Sequence, residues 1–219
     1  VNNRASSSAT PPGLPPIVPP TVETHHPTPG YTFWKSSNPA SGNPVAVGES
    51  VTYTLSGHNF GETVLNPVTI SDDLSEVLAY ATLKGGFSAT ITDDAGEKRD
   101  ASAPTLTGHA LSWVGALGIG EIVEISYTVI VDDGAEGATL TNTALSTATP
   151  PGLPLIEPPH VTTEHPVPGY TLEKSSDPTS GTKVKRGATI NYTVTGTNTG
   201  ATVLDPAIIH DDLAKVLNS

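Results

Sequence analysis

The chain of 219 residues contains no cysteine and no methionine. Disulfides, thiolate metal sites, thiol nucleophiles and methionine-lined interfaces are therefore all excluded. An exported protein without disulfides must reach durability by another route, such as repetition, a bound ion or a different covalent bond. Charge of one sign is also scarce. Ten Lys and Arg stand against 22 Asp and Glu, a net charge of −12, so no basic patch is present to neutralise nucleic-acid phosphates or an anionic membrane surface. No apolar run approaches the roughly 20 residues that span a bilayer, and Val1 does not begin a signal peptide, so export or anchoring signals are expected elsewhere. Nucleic-acid binding and membrane insertion are not expected.

What the chain has in quantity is Thr, Val, Gly and Pro, with 21 each of the last two. This composition favours short strands and turns over long helices. Repetition is the dominant feature. Thr10-Pro-Pro-Gly-Leu-Pro returns at Thr149, and Lys35-Ser-Ser-Asn-Pro returns at Lys174 as Lys-Ser-Ser-Asp-Pro. At a constant displacement of 139, about 44 of the 80 overlapping positions are identical without a gap, which marks duplication of a folded unit. The repeat divides the chain into the last strand of one unit (1–8), a proline-rich linker (9–30), a complete unit (31–148), a second linker (149–169) and the first half of another unit (170–219). The linkers are expected to be extended, either as free spacers or with Ile17, Val18, Leu155 and Ile156 packed on a neighbouring unit.

Within the complete unit, Val51, Tyr53 and Leu55 share one face, as do Val68 and Ile70, and 122–131 alternates with strong β-branching. Adding 31–35, 87–92, 110–113 and 138–146 gives seven predicted strands separated by Asn-Phe-Gly, Gly-Gly and Asp-Asp-Gly turns. The fold class is all-β, as tandem immunoglobulin-like sandwich repeats joined by extended linkers. A short helix is predicted over 74–80, with Asp73 as N-cap and Glu76 as its capping-box partner; Lys215 replaces that Glu in the next unit.

The ordered series Lys-Ser-Ser-Asn/Asp-Pro, Gly48, Val51-Thr-Tyr-Thr, Asn59-Phe-Gly, Val68-Thr-Ile-Ser-Asp-Asp, Leu111-Ser-Trp and Leu140-Thr-Asn-Thr resembles the DUF11-like repeats of large bacterial, often actinobacterial, surface proteins. The resemblance implies immunoglobulin-like domains strung into a cell-wall stalk or adhesin, at the cell surface or otherwise extracellular.

Three polar residues fall in phase with core positions: Lys35 with Tyr31 and Phe33, Asp72 with Val68 and Ile70, Asn142 with Leu140 and Ala144. Burial of a lysine beside an aspartate lowers one pKa and raises the other, leaving a neutral amine beside a protonated acid. That is the chemistry of an intramolecular isopeptide bond from Lys35 to Asn142, and the resemblance to surface pilins and adhesins with immunoglobulin-like folds implies such a triad. The alternative is that Lys35 reaches water, Asp72 caps a turn and Asn142 bonds nearby backbone. Asn3, Lys174 and Asp211 occupy the matching places in the partial units.

The acidic pairs Asp72–Asp73, Asp93–Asp94 and Asp132–Asp133 suggest calcium, although adjacent residues rarely supply six to eight oxygens, and solvated turns explain them equally. No other cofactor is expected. His25, His26 and His165 are read as surface linker residues, Trp34 as exposed and Trp113 as core. No nucleophile elbow, phosphate loop or metal-binding helix occurs, so an enzyme acting on an external substrate is not expected. The expected function is a structural repeat of a stalk, fibre or adhesin. The alternative is a binding module acting on glycan or host protein through avidity. Partners are neighbouring repeats and, through strand addition, other copies.

Overall fold

The computed structural model describes residues 1–217. Its strands, in chain order, are β1 (Asn2–Ala5), β2 (Val22–His25), β3 (Tyr31–Asn38), β4 (Ser50–Asn59), β5 (Leu65–Asp73), β6 (Ala81–Thr92), β7 (Lys98–Asp100), β8 (Thr105–Thr107) and β9 (Ala110–Leu117). There follow β10 (Ile122–Val131), β11 (Thr139–Ala148), β12 (Val161–Pro166), β13 (Tyr170–Asp177), β14 (Asn191–Asn198) and a single-turn helix α1 (Ala214–Leu217). Strands β3 to β12 form a sandwich of two five-stranded antiparallel sheets, ordered β3-β4-β10-β6-β7 and β12-β11-β5-β9-β8. The protein is thus all-β and immunoglobulin-like, as its composition requires.

Alternation builds the core. Val123, Ile125, Tyr127, Val129 and Val131 of β10 point inward, facing Leu140, Ala144 and Ala148 of β11, Val68 and Ile70 of β5, and Leu111 and Trp113 of β9. Each fully buried aliphatic side chain contributes about 1.5–3 kcal/mol, so the sandwich has apolar driving force from which to offset a few buried polar groups. Trp113 is buried and donates its indole N–H to the Ser102 carbonyl at 3.0 Å, which satisfies its one polar atom. Asn59 is buried at the end of β4 and organises its turn: its amide donates to the Thr63 and Gly118 carbonyls at 2.8 Å each, and its oxygen accepts from Gly61 N.

Tyr31 ties the sheets together. Its ring lies across Gly57 on β4, where an added Cβ would stand 2.3 Å from the phenol oxygen. Its hydroxyl donates to Ser146 Oγ on β11 at 2.6 Å, and Ser146 in turn donates to the Thr69 carbonyl on β5. Burial raises the phenol to about 12, so it stays protonated as a donor.

Two expectations are revised. The segment 74–80 is a run of turns rather than a helix: Leu78 N bonds Leu74 O, but the next bond, Tyr80 N to Val77 O, already closes a shorter ring. Asp73 still caps it, its Oδ1 accepting from Ser75 N at 3.0 Å. Leu74 and Val77 are buried, so packing of this turn between β5 and β6 overrides the weak local helical signal.

The second proline-rich segment is not a free extended spacer along its whole length. Val161–Pro166 pairs with β11 as the edge strand of the sandwich, and Thr163, His165 and Val167 are buried. Without it, β11 would present an open row of backbone donors and acceptors. The prolines nearest the strand fall at 158, 159, 166 and 168, outside it or at its end, where a missing N–H is tolerated. Ile156 bridges to Ala148 and packs half-buried on the core, while Leu155 stays exposed. The same arrangement recurs 139 residues earlier: Asn3 pairs with Thr24 as Asn142 pairs with Thr163, and Ala9 bridges Ile17 as Ala148 bridges Ile156.

Beyond β12 the chain is held closely. Gly137 N donates to Val167 O, and Thr199 N donates to Gly169 O, each at 3.0 Å. A Cβ on Gly169 would lie 2.6 Å from Gly137 N, so only glycine permits this approach.

Candidate functional site

The site forms where β3, at the edge of one sheet, faces β11 and β5 of the other. Strand parity turns Lys35, Asp72 and Asn142 inward, and all three side chains are fully shielded from solvent. Lys35 Nζ donates to both Asp72 oxygens, at 2.7 and 2.9 Å. Tyr127, from the centre of β10, donates its hydroxyl to Asp72 Oδ2 at 2.5 Å and accepts from Asn142 Nδ2 at 2.6 Å. A continuous chain of contacts therefore runs Lys35, Asp72, Tyr127, Asn142. Asn142 Oδ1 is buried and finds no partner among the described residues.

The surroundings are aromatic. The Tyr53 ring lies 5.3 Å from Lys35 Nζ and 5.3 Å from the Tyr127 ring, and the Phe87 ring lies 5.8 Å from Tyr127. In this dry pocket burial pushes the Lys35 amine down to about 8 against the opposing pull of Asp72, and burial pushes the Asp72 carboxyl up. Both shifts favour the pair in which the amine is neutral and the acid holds the proton. Burial and the neighbouring Asp72 also push both phenols, Tyr53 and Tyr127, upward, so neither ionises. The arrangement holds a nucleophilic nitrogen, an acid and a carboxamide out of water.

The counterparts are placed as follows. Lys174 Nζ meets Asp211 Oδ1 at 2.5 Å and lies 5.2 Å over the Tyr192 ring, so the lysine, acid and tyrosine arrangement recurs in the next unit, there partly open to solvent. Asn3 sits exposed on β1, in a separate two-stranded sheet.

Sequence reasoning did not find Tyr127, Tyr53 or His165. His165, read as a surface linker residue, is fully buried on β12, 6.0 Å from the Tyr53 ring. Its Nδ1 lies 3.2 Å from the Asn43 carbonyl, which only accepts, so Nδ1 carries the proton and Nε2 accepts from Ser37 Oγ at 3.0 Å. His25 and His26 are exposed, as expected. Burial lowers the His165 pKa from its ordinary 6.5. The unfolded chain thus binds a proton that the folded one resists, so stability present above about 6.5 is lost as pH falls toward the folded-state value. The sandwich is expected to be less stable at about pH 5 than at about pH 7, and His165→Gln is expected to flatten that slope. Denaturant titrations at the two pH values check this; equal slopes for both proteins would contradict it.

Asp72 is buried while Asp73 caps a turn; Asp93 Oδ1 accepts from Ala95 N and Glu97 N; Asp132 Oδ2 accepts from Thr82 Oγ1. Among the described residues no group of three or more His, Asp or Glu is placed to hold a metal ion. Trp34 is 39% exposed.

Comparison with known families gives two consecutive matches, over residues 30–167 and 169–219, to one described only as a domain of unknown function, DUF7927. The chain belongs to the DUF7927 family. The first match runs through β12 to the end of the sandwich, so the DUF7927 unit includes the strand drawn from the proline-rich segment. The motif series resembles DUF11-like repeats; the family matched is DUF7927. No curated protein matches the chain.

Solved structures similar to this DUF7927 chain include BcpA, the major pilin subunit of Bacillus cereus, at 11% identity in the D312A form, with 78% of this chain and 56% of that one covered and a TM-score of 0.49. Others are the collagen-binding domain of a Staphylococcus aureus adhesin (11% identity, 62% and 95% covered, TM-score 0.42) and the major pilin SpaD of Corynebacterium diphtheriae (15%, 67% and 37%, 0.43). The chain spans little more than half the length of the BcpA structure. Among the described residues no helix is long and apolar enough to cross a membrane.

Proposed function

We infer that this DUF7927 chain is a load-bearing segment of an extracellular, cell-surface stalk or adhesin, reinforced by a bond that the sandwich makes in itself. Lys35 Nζ attacks the Asn142 side-chain carbonyl carbon, Asp72 moves the protons, ammonia leaves, and an amide joins β3 to β11. The chain is consumed as its own substrate in one turnover, with no external substrate.

One observation carries this reading: the side chains of Lys35, Asp72 and Asn142, fully buried on three strands, are joined through Tyr127 along a single hydrogen-bonded path. Desolvating a lysine and an aspartate costs several kcal/mol each, and a buried pair often stabilises no more than apolar residues of the same volume. Conversion of the pair and the carboxamide into a neutral amide removes the buried cation altogether. Recurrence of Lys174 and Asp211 at the same separation adds support. A stalk of repeats also accounts for the absent cysteines, since a self-formed amide gives covalent closure without a redox partner.

The intact mass of the purified chain tests the reading. It is expected to be lower than the sequence mass by one ammonia, with the lost mass mapping to a branched peptide that joins the regions of Lys35 and Asn142. A mass equal to the sequence would refute it.

A further inference from the structure

Asp72 reaches Asn142 through a third side chain. The hydroxyl of Tyr127 stands between them, 2.5 Å from Asp72 Oδ2 and 2.6 Å from Asn142 Nδ2. The phenol is buried, and its ring packs against those of Tyr53 and Phe87. Among the described residues Asn142 Oδ1 has no hydrogen-bond partner although it is buried, which is costly for a carbonyl oxygen. A half-turn of the carboxamide about its Cβ–Cγ bond exchanges oxygen and nitrogen with no change of shape and brings Oδ1 onto the phenol. The phenol then donates to Asn142, and its oxygen lone pair faces Asp72, whose proton completes the chain.

We propose that Tyr127 is a catalytic residue of the cross-linking reaction, a relay through which the proton of Asp72 reaches the Asn142 carbonyl. This rests on the isopeptide reading above. As Lys35 Nζ bonds to Asn142 Cγ, the carbonyl π pair becomes an O–H bond with the Tyr127 proton, and Tyr127 takes the Asp72 proton. The Asp72 carboxylate, still beside Nζ, removes the proton made acidic by that new bond and passes it to Nδ2. The Cγ–Nδ2 bond breaks, ammonia departs, and the hydroxyl proton returns through Tyr127 to Asp72 as the carbonyl re-forms. Amine and carboxamide give a secondary amide and ammonia, and both relay groups end as they began.

The arrangement gives an acid that already grips Lys35 with both oxygens a path to the Asn142 carbonyl oxygen in addition to its direct interaction with the carboxamide. It also distinguishes the two tyrosines. Among the described residues the Tyr53 hydroxyl finds no hydrogen-bond partner, so its oxygen has no place in the path.

The test follows ammonia loss by intact mass during cell-free synthesis of the whole chain. Tyr127→Phe keeps the ring and removes one oxygen; closure is expected to slow by about 100-fold, in the range of a lost general acid. Tyr80→Phe, at an exposed tyrosine outside the pocket, is expected to close at the wild-type rate. If Tyr127→Phe closes as fast as wild type, the relay is overturned and the bond reading stands. If the wild-type chain itself never loses ammonia, the bond reading fails and the relay with it. Should Tyr127→Phe not fold, 3-fluorotyrosine placed at position 127 supplies a near-isosteric, more acidic phenol. A closure rate that shifts with that acidity supports the relay, and an unchanged rate overturns it.

Discussion

Asn142→Ala is expected to lower the melting temperature of the sandwich by about 10–20 °C. The side chain itself is small, and its hydrogen bond to Tyr127 contributes only about 1 kcal/mol. The larger loss comes from the unfolded state. Asn142 lies 107 positions after Lys35, and closing a loop of about that length removes chain entropy equivalent to about 4–5 kcal/mol. For a unit of this size each kcal/mol corresponds to about 3 °C. Calorimetry on wild type and variant, with the mass of each recorded beforehand, makes the comparison. A fall of under about 5 °C would mean that only the local hydrogen bond had been lost and that no covalent closure existed to remove.

Asp72→Ala is expected to do more damage than Asn142→Ala, although it deletes no more atoms. It prevents closure, and it also strands Lys35, whose side chain is fully shielded from solvent, without its carboxylate. Breaking one side of a buried pair costs about 3–5 kcal/mol beyond the lost closure. Together these approach the whole stability of an ordinary domain, so the variant is expected to be largely unfolded or insoluble at 37 °C. Adding Lys35→Met should recover part of the loss, because an unbranched apolar side chain of similar volume needs no counter-ion. Denaturant midpoints of the single and double variants give the coupling. If the second substitution adds its own cost instead of relieving the first, Lys35 and Asp72 do not form a coupled pair.

How much of this was legible before the structure can be stated residue by residue. The inward direction of Lys35, Asp72 and Asn142 follows from two-residue parity along strands whose other inward positions are apolar, and the structure brings these three residues to one place. Parity cannot show which strands of the two sheets face one another. Tyr127 reads as one more core aromatic in 122–131, and only the packing of β10 against β5 and β11 places its hydroxyl between an acid and an amide. His165 was hidden by composition: a segment with four prolines near it reads as spacer, and its strand exists because β11 needs an edge partner. The predicted helix at 74–80 failed for a related reason, since burial of Leu74 and Val77 set the path of a connection too short to form one. Local signals described what each segment prefers; the contacts between sheets decided what each segment does.

The position of β12 has a mechanical consequence. With Lys35 joined to Asn142, tension applied along the chain passes from one strand directly into the other, and residues between them are bypassed. The stretch from 143 to 169 lies downstream of that junction, held to the sandwich by hydrogen bonds and packing with no covalent tie. Pulled hard, it is the part that peels, releasing 27 residues, or roughly 90 Å of slack at about 3.4 Å each. A row of such modules would yield elastically at every joint and re-zip when the pull ends, with each sandwich still shut.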